Sequence, residues 1–396
     1  MARALARLGA ALFPYRAGLS GGALSALAAA TGTEWRWCAV SEKLISTGRR
    51  PVPPPPGDPP LALLVRTSGS SGAPKVVMLT PSNLAASAAS VNGRVGLGAG
   101  DVWLCCLRLS HIGGLAILYR CALAGATLVL HERFDAAVVA DDLRRHSVTH
   151  VSLVPPMLDR LLAEGASPPP TLRVVLVGGQ ALGPALAERA LAAGWPLFLT
   201  YGMTEAASQL ATSPQAIERI PRGGVVGPLL PGVQAEGVGV VDGVGRLRFR
   251  GPIVMAGYAN PQRILGQGLV NGWLETDDLG RVGEDGVLKV IGRHDDVLVI
   301  GGSNVSVARV EALLGAAPGV SDVAVVGLED PIWGHRLVAV YCGALDESSL
   351  RGWCEQTFSG ADRPRAFRRV PELPLLDSGK HDRGAIHVLA QAALLT

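Results

Sequence analysis

The stretch Thr67-Ser68-Gly69-Ser70-Ser71-Gly72-Ala73-Pro74-Lys75 gathers hydroxyls, two glycines and a lysine. Glycine permits backbone angles closed to other residues, so a ligand can approach the main chain closely there. Exposed amides and hydroxyls donate well to phosphate oxygens, and Lys75 adds charge. The Gly-Lys-Ser/Thr of a Walker A loop is absent. An ordinary turn has the same composition, because loops favour Gly, Ser and Pro. A second group, Tyr201-Gly202-Met203-Thr204-Glu205, follows an apolar run. Tyrosine offers a flat face for a purine. Thr204 and Glu205 suit a phosphate and a Mg²⁺ ion, which prefers carboxylate and phosphate oxygens. The alternative is a strand end with a helix cap.

These groups need elements to hold them. Apolar runs at Leu61–Val65, Val102–Leu107, Thr127–Leu130, His150–Val154, Arg173–Val177 and Leu197–Leu199 predict buried strands. Between them, Asp135–His146, Pro156–Glu164 and Pro184–Ala193 have helical spacing. This alternation implies an α/β domain of mostly parallel sheets with covering helices. After Gly223 the pattern changes to short strands and turns, including Arg246–Arg250 and Val287–Ile291, which predicts a β-rich subdomain. From His294 an α/β pattern resumes, with strands at Val297–Ile300 and Val323–Val326 and a helix at Val307–Leu314. The expected division is a short N-terminal segment with a proline-rich strap (1–60), a large domain (61–293) and a small mobile α+β domain (294–396).

The 396 residues exceed one small core, and 48% are hydrophobic. A net charge of +3 is too small to argue for nucleic acid, so an anionic substrate must be met by local groups. Six cysteines form no CxxC pair, which fits reduced thiols in cytoplasm. In Met1–Leu19, Arg3, Arg7 and Arg16 interrupt the apolar residues. That predicts an amphipathic surface helix rather than a signal peptide. No apolar run reaches membrane-spanning length, so no stable membrane insertion and a cytoplasmic location are expected.

The loop Thr67–Lys75 resembles the signature Thr-Ser-Gly-Thr/Ser-Thr/Ser-Gly-x-Pro-Lys of the adenylate-forming superfamily, which includes the acyl-CoA synthetases. Gly69–Gly72 also resembles a segment of the Ser-Ser-Lys amidases, so the other motifs decide. The superfamily resemblance extends from Leu64 to Arg383 and implies an ATP-dependent acid–thiol ligase that uses Mg²⁺ and coenzyme A. It implies that Thr67, Ser68, Gly69, Ser70, Ser71, Gly72 and Lys75 clamp the β- and γ-phosphates. Tyr201 and Gly202, with the turn Gly178-Gly179-Gln180, would meet the adenine. Thr204 would contact the α-phosphate and Glu205 would hold Mg²⁺. Gly272-Trp-Leu-Glu-Thr-Asp-Asp278 is similar to Gly-Trp-x-x-Thr-Gly-Asp, which makes Asp278 the ribose ligand. Asp277 replaces the usual glycine, and its extra carboxylate is harmless where its side chain points to solvent. Arg293 would contact the ribose and Asp295 would be the hinge of the mobile domain. Near the chain end, Leu375-Leu-Asp-Ser-Gly-Lys380-His-Asp-Arg383 resembles Ser/Thr-x-Ser-Gly-Lys-x-x-Arg, with Leu376 at the Ser/Thr position, which implies that Lys380 meets the attacking carboxylate and the α-phosphate.

Within the superfamily, Ser110-His-Ile-Gly-Gly-Leu115 and Tyr201–Gln209 resemble most the o-succinylbenzoate–CoA ligase branch of menaquinone and phylloquinone synthesis. The small-molecule carboxylic acid of that branch keeps a second carboxylate, which calls for a cation. Arg120 stands where that branch carries a basic residue; otherwise it is a surface helix residue. His111 and Ser208 are the further candidate substrate contacts, and a satisfied core histidine is the other reading of His111.

Overall fold

The structure is a computed structural model. It describes residues 10–15, 22, 25, 28–29, 31, 33, 35–38, 43–47, 58–67, 75–221, 224–241, 243–260, 264–294, 296–376 and 380–393. Its centre is a six-stranded sheet in the order Ser208–Thr212, Leu197–Met203, Val174–Val177, His150–Leu153, Val102–Cys105, Thr127–Leu130. All neighbours are parallel except the first pair, which is an antiparallel hairpin. The chain leaves Val102–Cys105 toward one edge and then returns to its other side. Ligands of open α/β sheets bind at such a switch, beyond the carboxyl ends of the strands.

Helices cover both faces, as the sequence pattern requires. Helix α1 (Pro81–Val95) opens with a reciprocal capping box between Thr80 and Asn83 and stops at Gly96 in the left-handed region. Helix α2 (Ile112–Ala124) packs beside it. Trp103, Ile117 and Val91 lie between these helices and the sheet, fully buried. The opposite face carries α3 (Ala136–Arg145), α4 (Pro155–Ala163) and α5 (Pro184–Ala192), whose apolar stripes close over Val151, Val175 and Leu197. The Asp135 side chain caps α3 by accepting from Val138 N.

A second sheet, all antiparallel, runs Val225–Pro228, Val287–Arg293, Trp273–Val282, Val244–Arg250, Gln234–Val241. This is the expected β-rich region. Arg94, at the end of α1, joins the two sheets by donating to the carbonyls of Thr212, Pro228 and Leu229. A third sheet pairs Leu63–Arg66, Val76–Leu79 and Gly257–Tyr258, also antiparallel. The strand expected at Leu61–Val65 therefore lies in a hairpin arm leading into the serine-rich loop and outside the parallel sheet.

Residues 296–376 and 380–393 form the last unit. Strands Val320–Asp330 and Gly334–Gly343 are antiparallel, and Ala366–Arg369 joins parallel. Helices α6 (Val307–Leu314) and α7 (Glu347–Thr357) pack on one side of this sheet, and α8 (Arg383–Ala392) on the other. The expected N-terminal amphipathic helix falls mostly outside the described residues. Its described part, residues 10–15, is extended, with Leu12 exchanging backbone hydrogen bonds with Ala62 and Leu64. These residues are half-buried against that strand edge.

Candidate active site

Turns at Thr204–Ala206, Gly178–Gln180 and Lys380 meet at the carboxyl ends of the central strands, beside Asp278 and Arg293 on the antiparallel sheet. Leu197–Met203 runs into a 3₁₀ turn, Thr204–Ala206, and returns as Ser208–Thr212. The reversal is tight: Ala207 has φ +51° and Ser208 φ +118°. Left-handed backbone at non-glycine residues costs about 1–3 kcal/mol each and clusters at functional sites. Gly202 makes the turn possible. A Cβ there would lie 1.7 Å from the carbonyl oxygen of Ser208, a collision with backbone that cannot relax.

Tyr201 and Asp278 are 77 residues apart in sequence, yet the Tyr201 hydroxyl donates to Asp278 Oδ2 at 2.5 Å. Burial and the Asp278 charge raise the Tyr201 pKa well above its ordinary value, so the phenol remains a donor. Arg293 Nη1 lies 3.4 Å from Asp278 Oδ1. This side chain comes from the neighbouring strand, where Asp278 and Arg293 are paired across the ladder. Asp277 is exposed to solvent, as expected, and also meets two arginines there. It accepts from Arg246 Nη2 at 2.8 Å and lies 3.7 Å from Arg293 Nη2, because its strand position faces those two guanidinium groups.

Lys380 reaches this cluster from the last unit. Its Cε lies 3.3 Å from where a Gly179 Cβ would stand, so the aliphatic chain passes over the Gly178-Gly179-Gln180 turn. His381 N donates to Gln180 Oε1 at 3.4 Å. Burial lowers the Lys380 pKa from its ordinary value, and the carboxylates of Asp278 and Glu205 oppose that shift. Several ties hold the turn that carries Lys380. Leu376 N donates to Lys380 O, His381 Nε2 lies 3.0 Å from Asp322 Oδ2, and Arg383 forks onto both oxygens of Glu311 at 2.7 and 2.9 Å. On the far side, Glu205 Oε1 accepts from Tyr258 OH at 3.0 Å, and Lys75 Nζ lies over the Tyr258 ring. Thr67 and Lys75 are joined by a backbone hydrogen bond, Thr67 N to Lys75 O. Ser68, Gly69, Ser70, Ser71 and Gly72, which the sequence assigns to phosphate, lie outside the described residues, as do the expected hinge Asp295 and residues 377–379.

Arg120 is not a surface residue. Late in α2 it is 1% exposed, with its guanidinium over the Trp103 ring, 5.4 Å from the centroid. Nη2 donates to Ser208 Oγ at 3.0 Å, across 88 residues of sequence. Nε is sealed without a hydrogen-bond partner, and no carboxylate pairs with the group among the described residues. Burial pushes its pKa down to about 10, which leaves it charged at neutral pH. His111 sits at the N-terminus of α2, half-buried, with its backbone carbonyl accepting from Leu115 N.

Sequence reasoning missed Tyr258, Trp103 and Gly268. Each is a lone residue in an apolar or turn-rich stretch, and no spacing marks it.

A family model described as AMP-binding enzyme matches residues 4–259, and one described as AMP-binding enzyme C-terminal domain matches residues 309–380. The chain belongs to the AMP-binding enzyme family. Among its relatives, the 2-succinylbenzoate–CoA ligase of Bacillus licheniformis is 36% identical over 327 residues, covering 81% of this chain and 68% of that protein. The Bacillus subtilis enzyme of that name is 35% identical over 346 residues. Within the family, o-succinylbenzoate CoA synthetase (MenE) from Bacillus subtilis, solved with its acyl-adenylate intermediate OSB-AMP, has a TM-score of 0.73 and 33% identity. That match covers 82% of this chain and 69% of the solved one. An amide bond synthetase, McbA from Marinactinospora thermotolerans, also has a TM-score of 0.73, at 30% identity over 83% of this chain and 69% of its own.

Proposed function

We propose that this chain is an ATP-dependent acid–CoA ligase whose acid is o-succinylbenzoate, acting in cytoplasm in menaquinone or phylloquinone synthesis. The substrate assignment is carried by Arg120. A buried guanidinium with one neutral hydrogen-bond partner is costly unless an anion joins it. A diacid that keeps one carboxylate charged supplies that anion, and the planar fork of arginine matches it. The ligase names of the relatives support the same reading.

The first step is attack of the free aliphatic carboxylate on the α-phosphorus of ATP, with pyrophosphate leaving and the acyl-adenylate forming. Lys380 neutralises charge between the attacking carboxylate and the α-phosphate, which is electrostatic stabilisation in a site shielded from water. Thr204 donates to the α-phosphate, Asp278 accepts from the ribose hydroxyls, and Arg293 pairs with Asp278 and orients it. Tyr201 and the Gly178–Gln180 turn border the adenine, and the loop from Thr67 to Lys75 receives the β- and γ-phosphates. Among the described residues no cluster of three or more His, Cys, Asp or Glu side chains could hold a metal. Glu205 alone fits Mg²⁺, which usually takes one or two carboxylates and completes its shell from phosphates and water. Bound there, Mg²⁺ would neutralise phosphate charge. In the second step the small domain rotates about Asp295 and withdraws Lys380. The thiolate sulfur of CoA then attacks the acyl carbonyl carbon, the anhydride bond breaks, and AMP leaves.

The test is acid-dependent ATP–pyrophosphate exchange across a panel of monoacids and diacids, followed by acceptor competition between CoA and amines. Exchange is expected with o-succinylbenzoate and capture by CoA. Brisk exchange with another acid only would overturn the substrate, and capture by amines alone would overturn the acceptor.

A further inference from the structure

Tyr258 belongs to no motif of the sequence analysis, yet it touches two groups of the proposed phosphate site. Its hydroxyl donates to Glu205 Oε1 at 3.0 Å, and Lys75 Nζ lies 5.0 Å from its ring centroid. The surrounding structure fixes its position. Gly257–Tyr258 pairs with Val76–Leu79, the strand that leaves Lys75, with Tyr258 opposite Val77. Tyr258 N donates to Gln267 O at 3.1 Å. Gly268, at φ +86°, backs one edge of the ring, and a Cβ there would approach Tyr258 Cε2 to 2.3 Å. A side chain at 268 would displace the ring, so glycine is required on both steric and backbone grounds.

We propose that Tyr258 is a positioning residue that holds Glu205 and Lys75 apart and ready for a nucleotide triphosphate with its divalent cation. The two groups carry opposite charges and flank one ring. A direct ion pair between them would have to be broken before either could meet the ligand. The tyrosine satisfies each separately: its π face takes the ammonium and its hydroxyl donates to the carboxylate. Among the described residues Glu205 Oε2 has no hydrogen-bond partner, which leaves one oxygen to face a cation.

The proposal rests on the ATP and Mg²⁺ reading above, and two substitutions in the full chain separate the two. Tyr258→Phe keeps the ring face and loses the hydroxyl; Tyr258→Leu loses both. Binding of ATP is measured by calorimetry, in excess EDTA and across a Mg²⁺ titration. Tyr258→Phe is expected to bind metal-free ATP as the wild type does, while the Mg²⁺ needed for half of the affinity gain rises about tenfold, as for one lost hydrogen bond to a charged group. Tyr258→Leu is expected to weaken metal-free ATP binding as well, because Lys75 loses its platform. Unchanged Mg²⁺ dependence in Tyr258→Phe overturns the proposal, and so does equal weakening by both variants with and without metal. If Tyr258→Leu does not fold, Tyr258→Phe decides alone. Failure of the wild type to bind ATP at all would refute the functional reading instead.

Discussion

Arg120→Met replaces a buried cation by an apolar side chain of similar length, and the structure predicts a loss of activity with little change in stability. Arg120 is 1% exposed and lacks an anionic partner among the described residues. Binding o-succinylbenzoate would bring its ring carboxylate to a desolvated guanidinium. Hydrogen bonds to charged groups contribute about 1.5–3 kcal/mol, so the variant should lose roughly 10–150-fold in kcat/KM for that acid. The neutral analogue 4-oxo-4-phenylbutanoate, which lacks the ring carboxylate, should lose little. Stability should move differently. Replacing buried charge by apolar packing is often neutral or stabilising by about 1–4 kcal/mol. Against this stand the lost hydrogen bond to Ser208 and the lost contact with Trp103, together roughly 1–3 kcal/mol. These contributions nearly cancel, so thermal unfolding should show a Tm close to that of the wild type. The assay is kcat/KM for both acids with both proteins, a double cycle in protein and substrate, together with melting curves. Equal losses for the two acids would remove Arg120 from the carboxylate site. A clear fall in Tm accompanying both losses would show that Arg120 is there to hold Ser208 and the fold.

Lys380→Ala should abolish formation of the adenylate, while preformed acyl-adenylate still yields thioester with CoA; equal loss of both half-reactions would contradict domain rotation. Asp278→Ala should weaken ATP binding by about 1.5–3 kcal/mol and leave the protein nearly unable to distinguish ATP from 2′,3′-dideoxy-ATP in a competition titration. The Lys380 pKa is lowered from 10.5 by burial; with the proposed role for its cation in adenylation, activity should be retained below the shifted pKa and lost as pH rises through it. The alkaline limb of kcat/KM for pyrophosphate exchange should thus fall with an apparent pKa below 10.5, and Lys380→Arg should move that limb upward; an identical limb in the two proteins would assign it to another group.

The order of elements was legible in the sequence because hydrophobic period is local. The helix expected at Asp135–His146 is Ala136–Arg145, and the strand expected at Thr127–Leu130 has those bounds. Both are set by residues a few positions apart, with Asp135 acting as its own helix cap. The change to short strands after Gly223 likewise reflects local turn chemistry and marks the antiparallel sheet. The candidate residues were legible one motif at a time, through residue type and resemblance. Which of them meet was decided only by tertiary structure. Tyr201 and Asp278 are 77 positions apart, Arg120 and Ser208 are 88 apart, and no periodicity connects such pairs. The burial of Arg120 was hidden for the same reason. A helix carrying one arginine reads as having a polar face until α1, Trp103 and the Ser208 turn close around it. Asp277 and Tyr258 show the same limit. The first is drawn to Arg246 and Arg293 by strand register, and the second is brought to Glu205 by a hairpin edge 53 residues away. Local sequence determines what each segment can be. Long-range packing, which desolvates charges and leaves some without partners, determines which side chains must find a ligand.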